Sequence, residues 1–193
     1  MHKTPALLAL ALVITALAPA WADGVVDKLM TAADKAKLEN YGTVRSEAIA
    51  EARSSGPAAD LATFEAVLAK PFESFQGFDM TGEWQCRTIK AGGLSALIVY
   101  GWFKCRGNDD GAGWLLEKTT GSQRTRGRFY DESDKRLIYL GSFYVAGDPV
   151  PAYGAGPATD QVGYAFRTGR QEWRIELPSP YYESKLDMLE FRR

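Results

Sequence analysis

The sequence predicts an α+β protein in which short helices lead into a mainly antiparallel β-barrel of about eight strands, with a two-sheet β-sandwich as the alternative. Three observations carry this. From about residue 79 to the C-terminus, apolar and polar residues alternate with a period of two, in short runs broken by turn residues. The stretch from Asp23 to Pro71 is Ala-rich and charged and lacks that alternation. The two cysteines, Cys86 and Cys105, fall on the two arms of the first predicted hairpin. The expected organisation is an export signal over 1–22, a helical segment and connector over 23–78, and a barrel over 79–193.

Residues 1–22 read as a cleavable signal. His2 and Lys3 precede an apolar run from Leu7 to Leu17, and Ala20-Trp21-Ala22 has the small-x-small pattern of a cleavage site, placing cleavage after Ala22. The apolar run is too short to span a bilayer comfortably. The expected location is periplasmic, with no membrane span in the mature chain. Cleavage removes Lys3 and leaves 22 Lys and Arg against 24 Asp and Glu. A net charge near −2 gives no electrostatic case for nucleic acid. The single histidine, His2, lies within the signal. A mature chain without histidine has no Ser-His or Cys-His nucleophile and no His-rich metal site, so neither cofactor nor metal is expected.

In the helical segment, Thr31-Ala32-Ala33-Asp34 resembles a capped helix start, with the helix running to Tyr41-Gly42. A second helix is expected over Thr43–Arg53, ended by Ser54-Ser55-Gly56-Pro57. In a third, Leu61, Phe64 and Leu68 share one face before Pro71. These helices are expected to pack on the barrel or on each other, or else to form an arm that binds a partner. Phe72, Phe75 and Phe78 follow at intervals of three and read as a plug for one end of the barrel, or as a ligand-facing aromatic cluster.

The first strand places Met80, Gly82, Trp84 and Cys86 on one face. Gly92-Gly93 supplies the turn to a second strand, Ala96–Cys105, which is apolar on both faces. Pairing of these strands brings Cys86 and Cys105 together, and an oxidising compartment favours a disulfide. Further strands are expected over Trp114–Thr119, Gln123–Tyr130, Arg136–Val145, Val162–Thr168, Gln171–Leu177 and Lys185–Arg192. The long Pro/Gly-rich stretch 147–160, with Tyr153 at its middle, reads as a lid over the barrel mouth or as a surface excursion.

Candidate ligand-contacting residues follow from this layout. A cavity would be lined by Trp84, Tyr100, Phe129 and Tyr164, with Tyr153 at its mouth. The polar turn Thr119–Arg124 offers Ser122, Gln123 and Arg124. Arg124, Arg126 and Arg128 share a face that opposes the apolar one and are expected in solvent. Glu117, Glu172, Arg174 and Glu176 are expected to pair with them there, each exposed pair contributing about 0–1 kcal/mol. Glu183, Asp187 and Glu190 are carboxylates, but nothing in the sequence holds two of them at a defined separation, so no catalytic residue is assigned.

The Gly82-x-Trp84 pair on a first strand resembles calycins such as the lipocalins, in which a C-terminal arginine packs over the tryptophan; Arg192 and Arg193 are the candidates here. The export signal and early disulfide also resemble periplasmic metalloprotease inhibitors, whose N-terminal segment enters the protease cleft. A closer resemblance is to the bacterial family named domain of unknown function 4893. It rests on Trp84-Gln85-Cys86-Arg87-Thr88-Ile89, Tyr100-Gly101-Trp102-Phe103-Lys104-Cys105, Glu117–Arg124 and Glu183–Asp187, and covers most of the mature chain. That resemblance implies an exported Gram-negative protein, of alphaproteobacterial type, and carries over no catalytic residues. The functional expectation is a non-enzymatic barrel that binds a small apolar ligand or a periplasmic protein. The alternatives are a protease inhibitor acting through the N-terminal segment, and an enzyme using carboxylate and tyrosine chemistry.

Overall fold

The computed structural model describes residues 23–193, so the signal and its cleavage site lie outside the described residues. Four helices come first: α1 (Asp23–Leu29), α2 (Ala32–Glu39), α3 (Tyr41–Ser55) and α4 (Ala58–Leu68). Thr31 caps α2, its hydroxyl accepting from the Asp34 amide at 3.2 Å. The strands follow as β1 (Gly82–Gly93), β2 (Leu97–Val99), β3 (Phe103–Asp109), β4 (Trp114–Lys118), β5 (Gln123–Ser133), β6 (Arg136–Val145), β7 (Asp160–Gly169), β8 (Glu172–Pro178) and β9 (Ser184–Arg192). All pairings are antiparallel, and β1 pairs with β9 from Gln85↔Arg192 to Gly93↔Ser184. The sheet therefore closes into an eight-stranded barrel of β1 and β3–β9, with β2 as an extra strand. Closure rules out the sandwich.

The expected strand Ala96–Cys105 is two strands. It breaks at Tyr100-Gly101-Trp102, so that β2 pairs with the second half of β1 and β3 with the first half. Its apolar character on both faces has a different cause from the one expected. Leu97 packs outward beneath the helices, whereas Cys105 packs inward. The two halves serve two separate cores.

Inside the barrel the floor is filled with rings. Trp173 stacks on Phe191 at 3.6 Å between centroids and meets Trp84 and Phe129 edge-on at 5.8 and 5.5 Å. Such pairs contribute about 0.5–1.5 kcal/mol each beyond the area they bury. Phe75, Phe78 and Met80 close this end, and the Trp84 indole N–H donates to the Met80 carbonyl at 2.8 Å. Phe72 stays outside, stacked on Phe166 at 4.1 Å. Arg193 lies over Trp84 at 4.1 Å, the arrangement that the calycin resemblance leads one to expect, while Arg192 lies over Trp102 at 3.9 Å. Cys86 and Cys105 form a disulfide between β1 and β3, with Cα atoms 5.9 Å apart.

The outer wall carries two more cores. Ala48, Ile49 and Ala52 of α3 and Phe64 and Val67 of α4 cover Ile89, Ala91, Leu97, Leu186 and Met188. Val26 of α1 covers Ile138, Leu140 and Val162. The charged face of β8 is correspondingly not solvated as the alternation led one to expect. Arg174 and Glu176 are fully buried under the helices. The Glu176 carboxylate accepts from Tyr41 at 2.6 Å, Arg45 at 2.7 Å and Arg174 at 2.8 Å, and Arg174 also donates to the Val67 carbonyl at 2.5 Å. The Glu190 carboxylate receives Lys70 at 2.9 Å and Arg87 at 2.6 Å. For Glu176, α3 supplies partners that the neighbouring strands were expected to provide, whereas Glu190 is paired by Arg87 of β1 and by Lys70 just after α4.

Two predictions follow from this packing. Replacing both cysteines with serine should cost about 2–4 kcal/mol in denaturant unfolding, through the freed loop of the unfolded chain. Glu176→Gln leaves Arg45 and Arg174 short of their buried counter-charge and should cost about 3–5 kcal/mol. Hydrogen exchange should show α3 and α4 loosening first. A variant as stable as the parent would mean that apolar packing alone holds the helices.

Candidate functional site

The barrel interior changes character along its axis. Extending the inward face of β1 past Trp84 and Cys86 reaches Thr88 and then Lys90. On β4, Leu116 is followed by Lys118, and on β9, Phe191 and Leu189 are followed by Asp187. These side chains, with Thr125 and Gln161, line a cavity of about 60 Å³ at the end opposite the phenylalanine plug. Such a volume holds about four or five waters. Pro180, Tyr181 and Tyr182 of the β8–β9 loop form part of the rim, and Tyr182 packs on Phe143 at 5.6 Å. Ser179 (φ 47°) and Glu183 (φ 70°) flank this loop in the left-handed region, a conformation that costs non-glycine residues energy and is common at functional loops.

The charges in the cavity are unevenly matched. Lys90 is the cross-strand partner of Asp187, and its ammonium donates to Glu183 at 2.5 Å. Burial opposes its charge, but Asp187 and Glu183 outweigh burial and raise its pKa. Burial pushes the Asp187 carboxyl up to about 6, against the pull of Lys90 and a hydrogen bond from the Ser184 hydroxyl at 2.5 Å. Lys118 is only 6% exposed, yet among the described residues it has neither a carboxylate partner nor a hydrogen-bond acceptor. Its ammonium lies over the Phe103 ring at 4.2 Å. Burial and the like charge of Lys90 lower its pKa to about 8; Arg124 adds to this and Asp187 opposes it.

One wall is set by a hydroxyl chain. Gly127 and Gly141 face each other across β5 and β6, and the Tyr139 ring lies over them; a Cβ on Gly141 would sit 2.3 Å from the Tyr139 hydroxyl. The phenol thereby reaches Thr125 at 2.6 Å, and Thr125 donates to the Gln161 side-chain carbonyl at 2.5 Å. With its oxygen engaged, Gln161 has its amide hydrogens left to donate.

The structure disperses the residues expected to contact a ligand. Trp84 and Phe129 belong to the ring-filled floor, and Tyr100 lies exposed at the end of β2. Tyr164 faces outward, edge-on to Tyr41 at 4.9 Å and below Arg136 at 4.3 Å. These four rings line no common cavity, because β7 presents Ala165 inward and Tyr164 to the helices. Tyr153 donates to Asp34 at 2.8 Å and accepts from the Thr31 amide at 3.2 Å, so it anchors its loop to α2, while Ala158 of the same loop reaches the cavity rim. Gln123 and Arg124 are on the rim; Ser122 is exposed beside it, its carbonyl accepting from the Ala146 amide at 2.8 Å. Arg128 pairs with Asp110, not with the glutamates expected. Of the three late carboxylates, Asp187 points into the cavity, Glu183 sits at its mouth and Glu190 lies outside under the helices.

The sequence reading passed over Lys90 and Lys118. The signal for both was the same alternation that located the strands, continued to the strand ends. Two larger depressions, of about 440 and 430 Å³, lie on the outer surface beside α1–α2 and beside Tyr41 and Phe72; both are open and shallow. Among the described residues, no group of three or more His, Cys, Asp or Glu side chains is placed to hold a metal ion.

No curated protein and no solved structure matches the chain. Residues 27–191, from within α1 to Phe191 of β9, match the family described as "Domain of unknown function (DUF4893)". The chain therefore belongs to the domain of unknown function 4893 family.

Proposed function

We propose that this protein is a non-enzymatic binding barrel of the periplasm that takes a small anionic ligand into the cavity at its mouth. The observation that carries the reading is Lys118. A lysine this deeply buried with no counter-charge on its ammonium costs stability, and an ordinary core would place an aliphatic side chain there. An anionic ligand supplies the missing counter-charge. The cavity volume of about 60 Å³ suits a ligand, or the head of one, of only a few heavy atoms. Its charged lining, in which Lys37, Lys90, Lys118 and Arg124 outnumber Asp160 and Asp187, favours an anion over the apolar ligand expected from the aromatic content of the sequence. The signal-like start and the disulfide support the location. Among the described residues no helix is long and apolar enough to cross a membrane. Burial of the helices against the barrel wall supports a structural role for them and not a free inhibitory arm.

Binding should be strongest on the acid side of neutrality. Lys118 must be protonated to hold an anion, so affinity should fall by about tenfold per pH unit above its pKa of about 8. The facing groups act in the same sense. Asp187 becomes neutral below about 6, which removes an opposing negative charge, while Lys90, its pKa raised by Asp187 and Glu183, stays cationic; Lys37, Arg124 and Asp160 also face the cavity. Titration of the 15N-labelled protein with acetate should shift resonances of β4, β5, β7 and β9 lining the cavity. Lys118→Met should abolish those shifts. The lysine's folded-state pKa lies below its unfolded value, so its charged form opposes folding at neutral pH, and Lys118→Met should raise stability by about 1–3 kcal/mol. Unchanged acetate binding in that variant would overturn the reading.

A further inference from the structure

Lys118 is placed for chemistry as well as for charge. Lys118 is more than nine-tenths buried as a residue, and it lines a cavity open at the barrel mouth. No acceptor among the described residues engages its nitrogen, and its neighbours Lys90 and Arg124 carry the same charge. Those are conditions under which a lysine keeps a reactive lone pair near neutral pH. A carboxyl group that retains its proton to about pH 6, Asp187, lies within electrostatic reach in the same cavity. The cations Lys37, Lys90 and Arg124, which outnumber Asp160 and Asp187 in the lining, suit a carboxylate beside the reacting centre.

We propose that Lys118 captures a small 2-oxo acid, an aldehyde or ketone bearing an adjacent carboxylate, as a reversible imine on its Nζ. This rests on the anion-binding reading and names the ligand class. The Nζ lone pair attacks the carbonyl carbon, the C=O π pair moves to oxygen, and a proton passes from nitrogen to oxygen to give a carbinolamine. Asp187 protonates the hydroxyl as it leaves as water. The resulting iminium returns a proton to the Asp187 carboxylate. One C–N double bond replaces one C–O double bond, water is released and nothing is oxidised or reduced. The ring-filled floor below the cavity stops the ligand from entering further, so the carbonyl is held near the mouth.

The test uses the full mature protein with glyoxylate and sodium cyanoborohydride at pH 8, read by intact mass and peptide mapping. The expected result is a single carboxymethyl group on Lys118, formed about tenfold faster than on surface lysines, whose amines are almost wholly protonated at that pH. Lys118→Arg, which lacks the nucleophilic amine, should lose that modification, and acetate binding is read on the unsubstituted protein. Mapping the unsubstituted protein decides the matter even if the variant folds poorly. Label spread over exposed lysines with none on Lys118, in a protein that binds acetate, overturns the imine alone. A protein that neither binds acetate nor labels at Lys118 overturns the anion-binding reading along with it.

Discussion

The Glu176 carboxylate is the contact on which the rest of the architecture depends. It lies wholly buried between the barrel and the helices and gathers hydrogen bonds from Tyr41, Arg45 and Arg174. A carboxylate so far from water is tolerable only with such donors around it. Two come from α3 and the third from its own strand, while the same Arg174 ties the α4 end through the Val67 carbonyl. The consequence reaches through the wall. On β8, Ile175 and Leu177 face the interior and Arg174 and Glu176 face the helices, so both faces of the strand are buried. The helices are part of the barrel's construction; they lie outside it, and Lys37 of α2 reaches the rim of the cavity.

The interior is polarised from end to end. Stacked and edge-on rings fill the floor, where Phe75 and Phe78 exclude water. At the other end charged groups project inward from three strands. A barrel of this size is normally filled by its own side chains. Here the filling is complete only where it is aromatic, and the remaining space is bounded by groups that need hydrogen bonds. The glycine pair Gly127 and Gly141 marks the transition, because the Tyr139 ring occupies the room they leave and delivers its hydroxyl to the polar half.

Much of this was legible in the residues. The alternation in Gln171–Leu177 located β8, and the small-residue turns separated most strands correctly, because hairpins are local. The disulfide was legible because both cysteines lie on adjacent strands of one early hairpin. What failed was non-local. Period-2 alternation divides a strand into two faces but cannot say that helices fifty or more residues upstream cover one of them, so Glu176 looked solvated and Tyr164 looked interior. The break at Gly101 was hidden because each half of the apolar run answers a different core. Lys118 was passed over for a related reason. A lysine at a strand end resembles a solvated terminus, and only the closed barrel shows that this end turns inward.

The seam between β1 and β9 has a kinetic consequence. It pairs Gln85 with Arg192, nearly the two ends of the barrel sequence, so closure requires a loop spanning almost the whole domain. Contacts of that range form late, because chain entropy must be lost before they contribute. Until they form, β1 and β9 present unpaired backbone edges of the kind that recruit other chains. The β1–β3 disulfide ties β1 to its other neighbour beside that seam. The last-formed ladder also carries Lys90 opposite Asp187, so the charged mouth is assembled only when the barrel shuts.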